Sequence, residues 1–184
     1  MITTKWSLDP THSEVQFKVK HLMISTVTGQ FKKFEASVET EGNDFATAKI
    51  NFSADIDSIS TNNEQRDAHL KNADFFNSEK YPKLTFESEK LEKAGDDNYK
   101  LQGNLTMLGV TKPVTLNVEL GGIVNDPWGN TRAGFTIHGK INRKEFGMLF
   151  NHVTETGGLM LGEDININAA AEFVKEKAEM LQAA

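Results

Sequence analysis

The chain has 184 residues, enough for one domain, and its 38% apolar residues, 12 Phe among them, suit a large buried interior while 25% charged residues suit a wetted surface. A formal net charge of −6 without a Lys or Arg run argues against nucleic-acid binding, and the absence of cysteine excludes a disulfide framework and thiolate chemistry. Residues 1–20 alternate polar with apolar and hold no continuous apolar stretch, so neither a signal peptide nor stable membrane insertion is expected; the expected location is the cytoplasm, or the periplasm if a leader was removed.

In chain order, Lys5 to Leu8 opens a series of strands. Val15, Phe17 and Val19 alternate with charged and polar neighbours, as do Phe34, Ala36 and Val38, then Ile50, Phe52, Ala54 and Ile56. Period-two alternation of this kind marks half-buried strands. The series then breaks. Thr61 followed by Glu64 is a capping-box pattern that predicts the start of a short helix. On that helix Arg66, His69 and Leu70 share one face, and the apolar pair Phe75 and Phe76 follows.

Alternation resumes with Leu84 and Phe86, then Tyr99, Leu101, Gly103, Leu105 and Met107. A turn from Gly109 to Pro113 leads to Val114, Leu116, Val118 and Leu120, and a loop from Asn125 to Asn130 leads to Phe135, Ile137, Gly139 and Ile141. Met148 to Gly162 departs from the pattern and reads as a hairpin excursion or a loop at a barrel mouth; its apolar residues would gate an entrance or cap the core. Ile165, Ile167, Ala169, Ala171 and Phe173 close the series, and Lys175 to Ala184 reads as a short helical tail on a single domain spanning 1–184.

About eight or nine strands with turns between them predict an all-β antiparallel sandwich or barrel, and the barrel is favoured. Bulky and small residues share the inward register: Phe34 with Ala36, Phe52 with Ala54, Leu101 with Gly103, Ile137 with Gly139. Small residues there would leave room for a ligand inside an eight-stranded wall. The competing reading is that Gly and Ala only relieve crowding or permit bends.

Separated motifs, taken together in order, carry a resemblance. Trp6, Leu8, Asp9, Pro10, His12 and Ser13 lead to Phe17 and His21; Arg66, Asp67, His69 and Leu70 precede Phe75, Phe76, Tyr81, Pro82, Thr85, Phe86 and Ser88. The stretches Gly103 to Val114 and Asn142 to Gly147 complete the set. On these residues the chain resembles the YceI-like family of lipid-binding proteins over nearly its whole length. The resemblance implies an extended lipocalin-like antiparallel barrel with the helix inserted midway, enclosing an apolar tunnel for a polyisoprenoid or similar long-chain lipid. It also implies pairing into a homodimer.

The expected tunnel lining comprises Phe17 and Val19, Phe34, Ile50 and Phe52, Phe86, Leu101 and Leu105, Leu116 and Val118, Phe135 and Ile137, and Ile165 and Ile167. Motif position makes His21, Arg66, Asp67, His69 and Arg143 candidates for the lipid head group, since an Arg fork suits phosphate or carboxylate. Each also has a structural alternative: Arg66 and Asp67 bracing the helix, Arg143 pairing with a carboxylate, the histidines satisfying backbone groups. Phe75 and Phe76 are expected to plug the barrel beneath the helix. Neither Ser13 nor Ser88 has a nucleophile-elbow context, and His12, His21, His69, His138 and His152 lack paired metal-ligand spacing. The expected protein is therefore a noncatalytic binder of an isoprenoid or quinone-like lipid, without metal or cofactor. A fatty-acid or fatty-amide binder is the first alternative, and an enzyme using Asp67, His69 and His21 on such a lipid is the second.

Overall fold

The alternating segments join into one antiparallel sheet that closes on itself in the computed structural model, which describes residues 2–178. The strands are β1 (Thr3–Leu8), β2 (Glu14–His21), β3 (Ser25–Phe31), β4 (Phe34–Glu41), β5 (Asp44–Asp55) and β6 (Ile59–Ser60). After the helix α1 (Glu64–Lys71) come β7 (Lys83–Lys93), β8 (Asn98–Met107), β9 (Val110–Asn125), β10 (Thr131–Asn142) and β11 (Leu161–Lys175). The 11 strands follow the order β1-β4-β5-β7-β8-β9-β10-β11-β2-β3-β6, and β1 also pairs with β11, so 8 of them form a closed barrel. Closure removes the exposed edges that an open sheet would leave unpaired.

β11 has two partners along one flank: Phe173 to Lys175 pair with β1, and residues from Leu161 to Ala170 pair with β2. β1 and β2 therefore lie end to end, joined by the 3-10 turn Pro10–His12, in which Asp9 accepts from the Thr11 backbone N–H. β3 adds to β2, and β6 touches β3 only at Gln30↔Ser60 and Phe31↔Ile59. One end of the barrel is thus prolonged on one side.

β3 escapes the alternation reading because its inward positions are Val27, Gly29 and Phe31, with Thr28 and Gln30 between them and Ser25 and Thr26 before them. Gly29 follows from packing: a Cβ there would stand 2.2 Å from Cζ of Phe17 on the neighbouring strand. The expected helical tail is also corrected at its start. Lys175 ends β11, residues 176–178 carry no helix, and the remainder of the tail lies outside the described residues.

At the end where β1 starts, Trp6 is 1% exposed, its Nε1–H donates to Thr40 Oγ1 at 3.0 Å, and its ring lies 4.9 Å from that of Phe45. Phe45 in turn meets Phe135 edge-on, and Phe135 meets Phe173. These rings floor the barrel. Around the same end, Arg132 donates from Nε to Asp126 at 2.7 Å and from Nη1 to Asp9 at 2.9 Å and Glu172 at 2.8 Å. One guanidinium joins the turn before β2, the loop after β9, and β11.

Asp9 is held well below the usual carboxylate range by the Thr11 hydroxyl, His12 and Arg132, and Asp126 is depressed by Arg132 and the Asn130 and Trp128 N–H groups. Their share of stability is complete above the ordinary value of 3.8 and is lost as pH falls through the depressed range. His12, raised above its ordinary 6.5 by Asp9, acts with the opposite sign: its share is present below 6.5 and lost as pH rises through the raised value. Replacing Arg132 with Met is expected to lower the melting temperature at pH 7, with a constant gap to wild type down to the ordinary value of 3.8 and a narrowing one below it. Thermal melts followed by circular dichroism on both sides of that value check this; a gap that stays constant below it as well would show that the carboxylates gain nothing from the arginine.

Candidate functional site

Inside the wall lies a cavity of about 250 Å³. It runs from Leu8, Phe45 and Phe173 at the floor to Leu70, Phe75, Met148 and Leu161 at the α1 end, and apart from Gln16 and Arg143 every residue around it is apolar. Period-two geometry sends one face of each strand inward. Accordingly the side chains expected from the sequence line this space: Phe17, Val19, Phe34, Ile50, Phe52, Phe86, Leu101, Leu105, Leu116, Val118, Phe135, Ile137, Ile165 and Ile167.

Phe45 and Ala48 also line it, and Phe45 lies out of phase with Ala48, Ile50 and Phe52. Between Glu39↔Lys49 and Glu41↔Asp44 the β4–β5 register shifts by three extra residues on β5, an odd number that flips its inward face. Alternation alone does not locate such a bulge.

Of the small inward residues, Ala36 lines the cavity, but Gly103, Gly139 and Ala54 do not create room. A Cβ at Gly103 would stand 2.4 Å from Phe86 Cζ and 2.5 Å from the Glu87 carbonyl oxygen, and one at Gly139 would stand 2.2 Å from Leu116 Cδ2. Ala54 is fully buried and is not part of the lining. At these positions crowding relief is the correct reading: the neighbouring side chain lies over the glycine, and the free space remains between the large residues.

The α1 end is covered by two segments. α1 begins at Asn63, whose side chain accepts from the Arg66 backbone N–H at 2.9 Å, so the expected Thr61–Glu64 capping box does not form. Thr61 is tied further along instead. Its N–H and hydroxyl both donate to Asp67, at 2.8 and 2.6 Å, while Arg66 donates to the Thr61 hydroxyl and carbonyl at 2.7 Å each. Arg66 and Asp67 brace the helix entry. His69 bonds Asp74 through Nε2 at 2.8 Å, and its ring packs edge-on against Phe75 and Phe150.

Phe150 belongs to the second cover, the segment 148–160. Met148 is 3% exposed and faces the cavity, whereas Leu149 is 63% exposed. The segment turns back at a Val153↔Leu159 bridge and meets the β2–β3 turn through Leu22 N–H to Met160 O at 2.7 Å. Phe75 and Phe76 are buried under α1 and line the cavity, as do Leu70 and Leu161.

Of the head-group candidates, His21, Arg66, Asp67 and His69 do not line the cavity; Arg143 does. Arg143 is 1% exposed and starts the 3-10 turn Arg143–Phe146, with Nε donating to Gly162 O and Nη1 to Met148 O and Phe150 O. The carboxylate partner expected in its structural alternative is not there. Burial pushes its pKa down, partly offset by the Glu163 carboxylate. The Ser13 hydroxyl donates to Asp9 O, and the Ser88 hydroxyl accepts from Ile50 N–H, so both serve the backbone. Asp9, His12 and Glu172 converge closely enough to hold a metal, but both carboxylates already accept from Arg132, which marks the group as an ion-pair network. No helix among the described residues is long and apolar enough to cross a membrane.

Comparison with known proteins agrees with this architecture. A family model described as the YceI-like domain matches residues 6–173. UPF0312 protein SA2479 of Staphylococcus aureus is 42% identical over 171 residues, covering 92% of this chain and 97% of that protein. The crystal structure of a Campylobacter jejuni YCEI protein superposes with a TM-score of 0.74 at 36% identity, covering 88% of this chain and 91% of the other. A polyisoprenoid binding domain from Saccharophagus degradans, implicated in plant cell wall breakdown, shares the fold at a TM-score of 0.66 and 14% identity, covering 93% and 98%.

Packing over Gly103 yields a test of the wall. The Gly103→Ala methyl would press on the Phe86 ring and on a backbone oxygen that cannot swing away, so this substitution is expected to cost about 1–3 kcal/mol in chemical denaturation. An unchanged midpoint would show that β7 and β8 are looser than their contacts imply.

Proposed function

The chain belongs to the YceI-like family, and from that premise we propose that it is a noncatalytic carrier or sequestering protein for a long-chain isoprenoid or quinone-like lipid, whose chain occupies the barrel cavity. The observation that carries this reading is the cavity's apolar lining, continuous from the Trp6 floor to the α1 cover. A polyisoprenoid binding domain built on the same fold supports it.

Chain burial supplies enough affinity. About 30 ligand atoms at roughly 0.3 kcal/mol each sum to about 9 kcal/mol, tighter than micromolar without a polar contact. The cavity volume of about 250 Å³ lies at the small end for ligand sites, so a long chain is seated by rotamer shifts among the Phe, Leu and Ile side chains that line it. The same modest volume favours the second reading, a fatty-acid or fatty-amide binder on the same scaffold.

Native mass spectrometry of protein purified from its own host, followed by lipid extraction, separates the two readings by the mass of the retained molecule. Across a series of single-chain lipids, affinity is expected to rise up to about fourfold per added methylene until the cavity is filled, then to level off. Lipid-free protein that also binds no member of the series would overturn the proposal. Leu105→Trp is expected to lower occupancy while leaving the strand signal in circular dichroism nearly unchanged, because the larger ring enters the lumen from a rigid strand. Undiminished occupancy would place the chain elsewhere.

A further inference from the structure

The cavity has one charged group on its wall, and that group has donors to spare. A guanidinium carries five N–H bonds. Arg143 spends Nε–H on Gly162 O at 2.9 Å and both Nη1–H bonds on Met148 O at 2.8 Å and Phe150 O at 2.9 Å. Nη2 is buried and has no acceptor among the described residues. Nor does a carboxylate lie within ion-pair distance of Arg143 there: Glu163 pairs with Lys144 at 2.8 Å and reaches Arg143 only through space. Arginine keeps its charge even when buried, so the cation lacks a direct ion-pair partner as well as being partly unbonded.

Its orientation is set by the chain around it. Asn142 accepts from Lys144 N–H at 2.9 Å, Gly147 takes the left-handed φ of 82°, and Met148 N–H returns to Arg143 O at 3.2 Å. The bonds to Met148 and Phe150 fasten the guanidinium beneath the segment that covers the barrel end, beside Met148 and Leu161 on the cavity wall. A brace for the backbone would use the bonds already made and leave nothing over.

We propose that Arg143 is the head-group receptor of this cavity, with Nη2 donating to an oxyanion, a carboxylate or phosphate oxygen, at the polar end of the bound lipid. This rests on the reading that the cavity takes a lipid chain. It adds a direction: the polar end lies under the 148–160 cover and the tail runs toward Trp6. Oxygen acceptors with negative charge suit it best, because a charge-assisted bond from Arg is about twice as strong as a neutral one.

The test compares cis-parinaric acid with its methyl ester, read by fluorescence on the whole protein at about pH 8. The acid is expected to bind wild type roughly tenfold or more tightly than the ester, the gain of a charged over a neutral hydrogen bond. Arg143→Gln is expected to bring the ratio near one, and Arg143→Lys to keep part of it. The ratio is the readout because loosening the cover weakens both probes alike and leaves it unmoved. In wild type alone, the preference is expected to fade as the pH is lowered until the carboxyl protonates. Displacement by dodecyl phosphate, dodecanoate and dodecanol then ranks the two oxyanions against a neutral head. Equal binding of acid and ester by wild type, a preference that survives both substitutions, or dodecanol matching the oxyanions would overturn the head-group assignment while leaving the lipid cavity standing. Failure of both probes to bind wild type would remove the cavity reading itself.

Discussion

The pairing of β1 with β11 is the constraint on which the molecule depends. Three register pairs, from Trp6↔Lys175 to Leu8↔Phe173, close the ring, and Trp6 sits inside that seam with its indole N–H bound to Thr40. With the seam closed, every strand of the barrel has two partners, and the inward faces of all of them enclose one volume. Unzipped, the same strands would present an apolar sheet face to water, at about 25 cal/mol for each Å² exposed. The Arg132 ion-pair network fastens the same end from outside, where β11 passes the turn that leads into β2.

The two ends of the barrel are built differently. The floor is aromatic and short-linked: Trp6, Phe45, Phe135 and Phe173 are held by the strands themselves. The opposite end is roofed by α1 and the segment 148–160, neither of which belongs to the sheet. Their contact is a group of rings, with Phe150 about 5 Å from His69, Phe75 and His152. Elements that carry few ladder hydrogen bonds open at lower free energy than a closed sheet. The α1 end is therefore the easier of the two to open for any molecule that would reach the cavity.

That asymmetry organises the chemistry as well. Hydrophobic burial along the wall is non-directional: it holds a chain without deciding which way the chain runs. Direction needs a polar group at one end. In the orientation we propose, Arg143 supplies it from beneath the roof, while three other polar candidates are spent on structure: Arg66 and Asp67 on Thr61, His69 on Asp74. A dry wall with one cation near its less permanent end gives the cavity both affinity and polarity.

Much of this was legible in the chain. Alternation located most strands and every expected lining residue, because side chains on a strand change face at each step and a buried face must be apolar. It missed β3, whose inward Gly29 is small only to clear Phe17, and the β5 bulge that brings Phe45 inward. It left open whether Gly103 and Gly139 give free space or relieve crowding, since a glycine in sequence does not reveal which neighbouring side chain lies over it. The helix was foreseen but its cap was not, because Asn63 and Asp67 took the bonds assigned to Glu64 and Thr61.

By itself the sequence determined the class of the fold and the apolar character of its interior, both of which follow from local periodicity and composition. Tertiary structure alone decided which polar side chain meets that interior. Arg143 and Arg66 are alike as residues in helical turns, but only Arg143 is crossed by the chain that follows it, which folds back through Met148, Phe150 and Gly162 and buries it against the cavity. No local pattern encodes that crossing.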